Sequence, residues 1–347
     1  MPENEPRKER ETGSENGPIT VFAIPGIGEV TTGVNLADLI RGQVVDGDIV
    51  VITSKIVSKA EGRFFVGEKS DAVAQETVRT VAQRGGTRIA RNRLGLTMAG
   101  AGVDASNVEQ GKLLLLPEYP DRTAAKVRTE LAAGGDANVA VIVSDTSGRA
   151  WRTGQTDIAI GAAGLRVELD YDGITDGYGN TLAVTLTAVA DELAAAGDLV
   201  KGKLSGCPVA VIRGLSQHVL QPGENGPGAT TLIRDERSDL FGLGAREAVM
   251  AALLRTDSRG FGAPAPAETV VSALASLGLD ARIDPSDSAG SATDFTAGGS
   301  ILATDDERTL VVAYAHGWRA VAGESVTSRD GQPGRTRLLP GDIPPIP

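Results

Sequence analysis

One cysteine, two histidines and few aromatic residues stand in this 347-residue chain, and each shortage closes off a class of explanation. The single cysteine, Cys207, cannot form an intrachain disulfide and fits a reducing compartment such as the cytoplasm. Two histidines, His218 and His316, are too few for a histidine-rich metal site, and nothing near His218 completes a nucleophile triad. Aromatics make up 3% of the residues, so the core must be built from Val, Ile, Leu and Ala. No run approaches roughly 18 consecutive apolar residues, so no segment is expected to span a membrane. Met1–Gly17 is polar and lacks the apolar stretch of a signal peptide. Basic residues are outnumbered: the net charge of −11 argues against general nucleic-acid binding. Neither G-x-x-x-x-G-K-S/T nor G-x-G-x-x-G occurs, which leaves Walker and Rossmann chemistry unsupported.

What is present is aliphatic residues in short runs, punctuated by 44 glycines. The runs Ile19–Ile24, Ile49–Thr53, Leu113–Leu116, Val139–Val143 and Val209–Arg213 read as strands. Asn35 is placed to cap a short helix through Ile40, and Asp121 to cap one running to Ala133. Asp71–Gln83 has helical spacing, Ser147–Asn180 reads as loop, and Thr181–Ala196 as a helix or a strand-to-helix pair. Pro222–Thr230 reads as a mobile loop and Asp239–Leu254 as a helix. Beyond a linker at Gly262–Pro266, a helix is expected at Glu268–Leu277 and a strand pair at Ile301–Thr304 and Thr309–Ala313, before a Pro-rich tail. Strands and helices do not alternate regularly, so the expected class is α+β.

Four clusters could carry chemistry. Pro25–Glu29 (PGIGE) follows a strand, where glycines let backbone N–H groups approach an anion. Thr53–Arg63 brings hydroxyls and the cations Lys55, Lys59 and Arg63 out of a buried strand, which suits a polyphosphate. Lys59 is expected to act by charge on a ligand rather than as a structural salt-bridge partner. Ala99–Asn107 is Gly-rich and carries Asp104. Ser144–Asp157 sets Asp145 at a strand end, and oxygen ligands from Asp and Thr suit Mg²⁺ or Mn²⁺ rather than zinc. Arg149 and Arg152 could neutralise phosphate or carboxylate, and Trp151 could stack on a ring or anchor in the core or at the surface. Taken alone, each cluster also reads as a turn, a helix cap or a solvated strand end, and Cys207 as a packed residue.

In order, these clusters and their neighbours resemble the F420-0:gamma-glutamyl ligases. The blocks are Pro25–Glu29, Asp46–Arg63 (DGDIVVITSKIVSKAEGR), Ala101–Asn107 (AGVDASN), Leu114–Pro117 (LLLP), Ser144–Gly161 (SDTSGRAWRTGQTDIAIG), Ala190–Lys203 (ADELAAAGDLVKGK) and Pro208–Gly214 (PVAVIRG). The resemblance implies a GTP-dependent reaction joining L-glutamate to coenzyme F420-0, through an acyl phosphate, with GDP and phosphate released. It implies an α+β catalytic domain with mixed sheets, a homodimer in the cytoplasm, Mg²⁺ or Mn²⁺, and K⁺. By position it assigns Pro25, Gly26, Ile27, Gly28, Ser54, Lys55, Lys59 and Asn107 to the nucleotide, together with Lys201, Gly202, Lys203, Leu204, Ser205 and Gly206. It assigns Asp104, Asp145 and Thr146 to metal and names no catalytic residue.

Gly28, Ser147 and Ala150 differ from the Pro, Phe and Pro usual in the family, and Lys203 stands where some archaeal members carry Glu. The implied layout is a disordered tail at 1–17, the ligase-like domain at 18–246, a helix end and linker at 247–266, and a small α+β accessory domain at 267–347. That last part is too short for the flavin-binding nitroreductase-like domain of some actinobacterial relatives, although Leu254–Phe261 faintly resembles its start. Two other readings stay open: another nucleotide-dependent carboxylate–amine ligase on the same scaffold, and a non-catalytic deazaflavin-binding module.

Overall fold

A computed structural model describes residues 17–135, 137–183, 185–236, 239–256, 261, 263–284, 299–321 and 334–341. The expected tail through residue 16, most of Asp257–Gly262 and the final prolines lie outside the described residues.

The chain begins with β1 (Thr20–Ala23), α1 (Leu36–Ile40), β2 (Ile49–Thr53) and α2 (Ser54–Ala60). Next come β3 (Phe64–Val66), α3 (Lys69–Glu76), β4 (Thr77–Arg84), β5 (Thr87–Asn92), β6 (Thr97–Ala99) and β7 (Lys112–Leu114). A long helix, α4 (Pro120–Ala133), leads into the paired strands β8 (Ala140–Arg149) and β9 (Arg152–Ala163). The short β10 (Leu169–Asp170) and β11 (Leu186–Thr187) precede α5 (Val189–Lys201) and β12 (Val209–Arg213). Then follow α6 (Ala245–Leu254), α7 (Ala267–Ser276), β13 (Ala281–Ile283), β14 (Ile301–Thr304), α8 (Glu307–Ala315), β15 (Trp318–Ala320) and β16 (Arg335–Pro340). Helices sit with mixed and antiparallel sheets, so the class is α+β, as the sequence led us to expect.

Two compact units divide the chain: residues 1–80 with 87–233, and residues 81–86 with 234–347. The first is built on a mixed sheet in the order β1-β12-β2-β8-β9, in which β2 and β8 run parallel and the other pairs antiparallel. Its central strand β2 is apolar and buried over its first four residues, Ile49 to Ile52, because both faces are covered. Val50 and Ile52 join the core that holds Leu36, Ala37 and Ile40 of α1 and Ala124, Val127 and Leu131 of α4. Ile49 and Val51 join Val189, Ala190, Leu193 and Ala194 of α5 on the other face. That helix lies so close that a Cβ added at Gly197 would come within 2.9 Å of the Val51 side chain.

The second unit is a four-stranded antiparallel sheet, β13-β14-β16-β15, with a core of Val270, Leu274, Ile301, Ala303, Ala313, Trp318 and Leu338. The Trp318 indole donates to the Ala265 carbonyl at 2.8 Å, which satisfies the one polar atom of that buried ring.

Four expectations need correction. The helix expected at Asp71–Gln83 stops at Glu76, and Thr77–Arg84 is strand: the β-branched run Thr77, Val78, Thr80, Val81 favours extended backbone. Ser147–Asn180 is not all loop, since β8 and β9 extend through Arg149 and from Arg152. Thr309–Ala313 is helical, because Asp306 caps α8 by accepting from the Arg308 N–H and the buried pair Thr309 and Ala313 is spaced one turn apart. Asp121 is not the N-cap of α4, a position that Tyr119 takes with Pro120 in the first turn. Its carboxylate instead accepts from the backbone of Ala162 and Ala229 and from the Thr230 hydroxyl, tying helix, sheet and loop together.

Candidate active site

The parallel pairing of β2 with β8 ends at Thr53 opposite Ser144, where β2 stops and β8 runs on beside β9. Their next residues, Ser54-Lys55 and Asp145-Thr146, therefore emerge at the same edge of the sheet, where ligands of parallel strands commonly bind. The Ser54 hydroxyl donates to Asp145 Oδ1 at 2.6 Å, a bond just beyond that last parallel pair. Lys55, one residue on, reaches Asp104 at 2.7 Å. Asp104 is oriented in turn by the Ser106 hydroxyl (2.7 Å) and backbone N–H (2.9 Å).

A second polar set lies beside it. Asp157 of β9, almost fully buried, accepts from Lys201 (3.0 Å) and Ser144 (2.8 Å) on one oxygen and from Thr146 (2.8 Å) on the other. Lys201, at the end of α5, also donates to the Ser144 hydroxyl at 2.7 Å. The Thr146 hydroxyl accepts in its turn from Lys203 at 2.8 Å. This chain of bonds satisfies every buried charge in it, which is what allows a charged pair to survive there.

Two cavities meet at this edge. The larger, about 490 Å³, is lined by Ile27 to Val30, by Thr53, Lys55, Ile56 and Lys59, by Asn107, Thr146 and Asp157, and by much of 198–208. The smaller, about 280 Å³, is lined by Lys55, Asp104, Asp145, Thr146, Lys203 and the start of the β8–β9 ribbon, among others. Lys55, Thr146 and Lys203 belong to both walls.

The residues assigned to the nucleotide thus divide. Ile27, Gly28, Lys55, Lys59, Asn107, Lys201, Gly202, Lys203, Leu204 and Gly206 line the larger cavity, whereas Pro25, Gly26, Ser54 and Ser205 do not. Asp104 and Asp145 line the smaller cavity, and Thr146 lines both. Cys207, read as a packed residue, is only half-buried and lines the larger cavity. Lys59 does have a salt-bridge partner, against expectation: its buried ammonium meets Glu29 at 2.6 Å, although Glu29 itself is 75% exposed. Asp157 was not singled out from sequence. The one local signal is its place as the only charged residue of the mostly buried stretch Asp157–Ala163.

The electrostatics follow from these contacts. Burial disfavours the Lys55 ammonium, but Asp104, with Asp145 and Asp157 behind it, outweighs burial and holds its pKa above the ordinary lysine value. Burial likewise works against the Asp104 carboxylate, and the bonds from Lys55 and Ser106 overcome it and hold the carboxyl low. Asp157 follows the same pattern, with Lys201 outweighing burial. Asp145 differs. Desolvation pushes its carboxyl up to about 6, the Ser54 bond and the Lys55 charge pull it down only in part, and Asp157 and Asp104 add to the rise.

Among the described residues no three His, Cys, Asp or Glu side chains converge as a ready metal site. The donors that are present nevertheless suit a hard divalent cation: two carboxylates and a hydroxyl on one cavity wall, one carboxylate under-compensated for its burial. We therefore regard Asp104, Asp145 and Thr146 as fitting Mg²⁺ or Mn²⁺.

Comparison with known proteins places the chain in a class of enzymes, the ligases. The sequence model described as F420-0:gamma-glutamyl ligase matches residues 26–214. Proteins named coenzyme F420:L-glutamate ligase are similar to more than half of the chain. That of Halorubrum lacusprofundi is 39% identical over 221 residues, which is 56% of this chain and 86% of the relative. Those of Halobacterium salinarum (38% over 220 residues; 55% and 85%) and Archaeoglobus fulgidus (36% over 220 residues; 57% and 88%) are close to it. The chain belongs to the F420-0:gamma-glutamyl ligase family.

Proposed function

We propose that this chain joins L-glutamate to coenzyme F420-0 in an amide bond, using GTP and passing through an acyl phosphate. The observation that carries the reading is the pair of cavities sharing Lys55, Thr146 and Lys203, with four lysines around the larger in a chain of net charge −11. A carboxylate is a poor acyl donor, so a phosphoryl group must first be placed on it, and the charge of that transfer must be spread. The nucleotide occupies the larger cavity. Lys201 is locked onto Asp157, but Lys59 and Lys203 have exposed or distant carboxylate partners, Glu29 at 2.6 Å and Asp198 at 3.8 Å, that phosphate oxygens can replace.

A carboxylate oxygen of the coenzyme attacks the γ-phosphorus, and GDP leaves. The glutamate amine then attacks the acyl carbon, and phosphate departs with the original carboxylate oxygen. Asp157 positions Thr146, and through it Lys203, at the wall between donor and acceptor. When bound, a divalent ion held by Asp104, Asp145 and Thr146 supplies positive charge to the phosphates. Dependence on K⁺ and assembly as a homodimer belong to the same proposal. The test is a reaction with the acceptor carboxylate labelled with ¹⁸O: the label should appear in the released phosphate. Unlabelled phosphate accompanying amide formation would contradict the acyl phosphate.

A further inference from the structure

The β8–β9 ribbon does not stop at the cavity wall. Gly148 and Gln155 pair across it and line the smaller cavity, and Arg149 pairs with Arg152 one step further out. Ala150 and Trp151 close the turn, two steps or roughly 7 Å beyond the wall at strand spacing. Two features of this tip oppose stability. Trp151 is 86% exposed, the most costly side chain to leave in water. Its backbone is left-handed, with φ of 62°, at a turn position normally given to Gly or Asn. A large ring held out on strained backbone beside two exposed arginines, in continuity with a reactive cavity, is a feature of recognition.

Resting on the function proposed above, we infer that the smaller cavity and the ribbon tip form the acceptor site: the coenzyme's carboxylate enters the cavity at Lys203, and its planar deazaflavin ring stacks on Trp151. An acceptor with a flat aromatic system at one end and a carboxylate at the other spans this surface. Arg149 and Arg152, both exposed, add positive charge to the surface between those ends, which suits an anionic acceptor. Stacking on Trp151 makes it the residue that selects a deazaflavin over a short aliphatic carboxylate.

The test titrates coenzyme F420-0 and, separately, GTP into the wild type, Trp151→Phe and Trp151→Ala by calorimetry, and follows tryptophan emission. Aromatic stacking of this kind predicts that Trp151→Ala binds the deazaflavin about five- to a hundredfold more weakly, while Trp151→Phe stays close to wild type. GTP affinity should be the same in all three, which also reports that each is folded. Deazaflavin should quench the wild-type emission and leave that of Trp151→Phe unquenched. Wild-type deazaflavin affinity in Trp151→Ala, or persistent quenching in Trp151→Phe, would overturn the acceptor site alone. A change of Trp151→Ala from dimer to monomer with unchanged deazaflavin affinity would do the same, assigning the tip to a contact between copies. A wild type that binds GTP but no deazaflavin would overturn the proposed function as well.

Discussion

The two units bury different things. Among the described residues of the first, Asp48, Lys59, Glu76, Arg128, Asp157 and Lys201 are charged and buried; in the second, the buried polar residues are the hydroxyls Ser300, Thr309 and Thr336. Burying a charge is costly unless it is paired, so a unit that does so repeatedly is under a demand other than stability. Some of these charges brace the fold. Asp48 takes a two-pronged bond from Arg213, Glu76 joins Arg63 and Arg93, and Arg128 reaches the carbonyls of Val139, Leu220 and Gln221. The others, Lys59, Asp157 and Lys201, all line the larger cavity. The second unit folds around aliphatic contacts and one tryptophan and pairs its charges at the surface.

The contrast predicts its largest effect at Asp157. Asp157→Ala leaves the Lys201 ammonium buried without a counter-charge, which should cost about 3–5 kcal/mol in urea unfolding. Adding Lys201→Met to that variant should recover much of the loss. A single variant as stable as wild type would show that the pair is not buried as described.

Asp145 comes next. Its folded pKa of about 6 lies above the ordinary carboxyl value of 3.8, so the folded state holds the proton more tightly than the unfolded state. Its contribution is therefore full below pH 3.8 and declines as pH rises through 6, a loss of about 3 kcal/mol. In chelator, Asp145→Asn should gain on wild type by that amount between pH 4 and pH 7, and excess Mn²⁺ should narrow the gap at pH 7. A difference that stays flat with pH would remove Asp145 from the list of under-compensated groups.

Lys59→Ala should weaken GTP binding by about ten- to a hundredfold, or 1.5–3 kcal/mol, the worth of one charge-assisted contact. Its bond to the exposed Glu29 is replaceable by water, so the melting temperature without nucleotide should move little. Unchanged GTP affinity with a lowered melting temperature would make the pair structural. The smallest effect belongs to the second unit, where Arg255→Ala breaks a surface pair with Glu307. It should cost less than about 1 kcal/mol and leave GTP affinity unchanged in titration.

Much of the first unit could be read from its residues. Ile49–Thr53 and Val209–Arg213 are aliphatic runs each closed by one polar residue, and both are strands with those limits. Asn35 caps α1 through a 2.9 Å bond to Ala37 N, as its position before an apolar helix implied. The β8–β9 ribbon was hidden because seven glycines and four aspartates in Ser147–Asn180 look like loop. Its outer half is exposed, so it has no apolar alternation to reveal the backbone pairing that holds it. Asp157 was lost with it. The clustering of Lys55 with Asp104, 49 positions apart (104 − 55), depends on the register of separate elements and leaves no local trace.

The central claim is that the two adjoining cavities bring a nucleoside triphosphate and a carboxylate together for amide formation. It is tested most directly by mass spectrometry of coenzyme F420-0 after incubation with the protein, GTP, L-glutamate and Mn²⁺. The account predicts a product heavier by one glutamyl residue, formed with an equal amount of GDP and absent when any one component is left out. GTP hydrolysis with the coenzyme unchanged, or a glutamylated product formed without GTP, would contradict it.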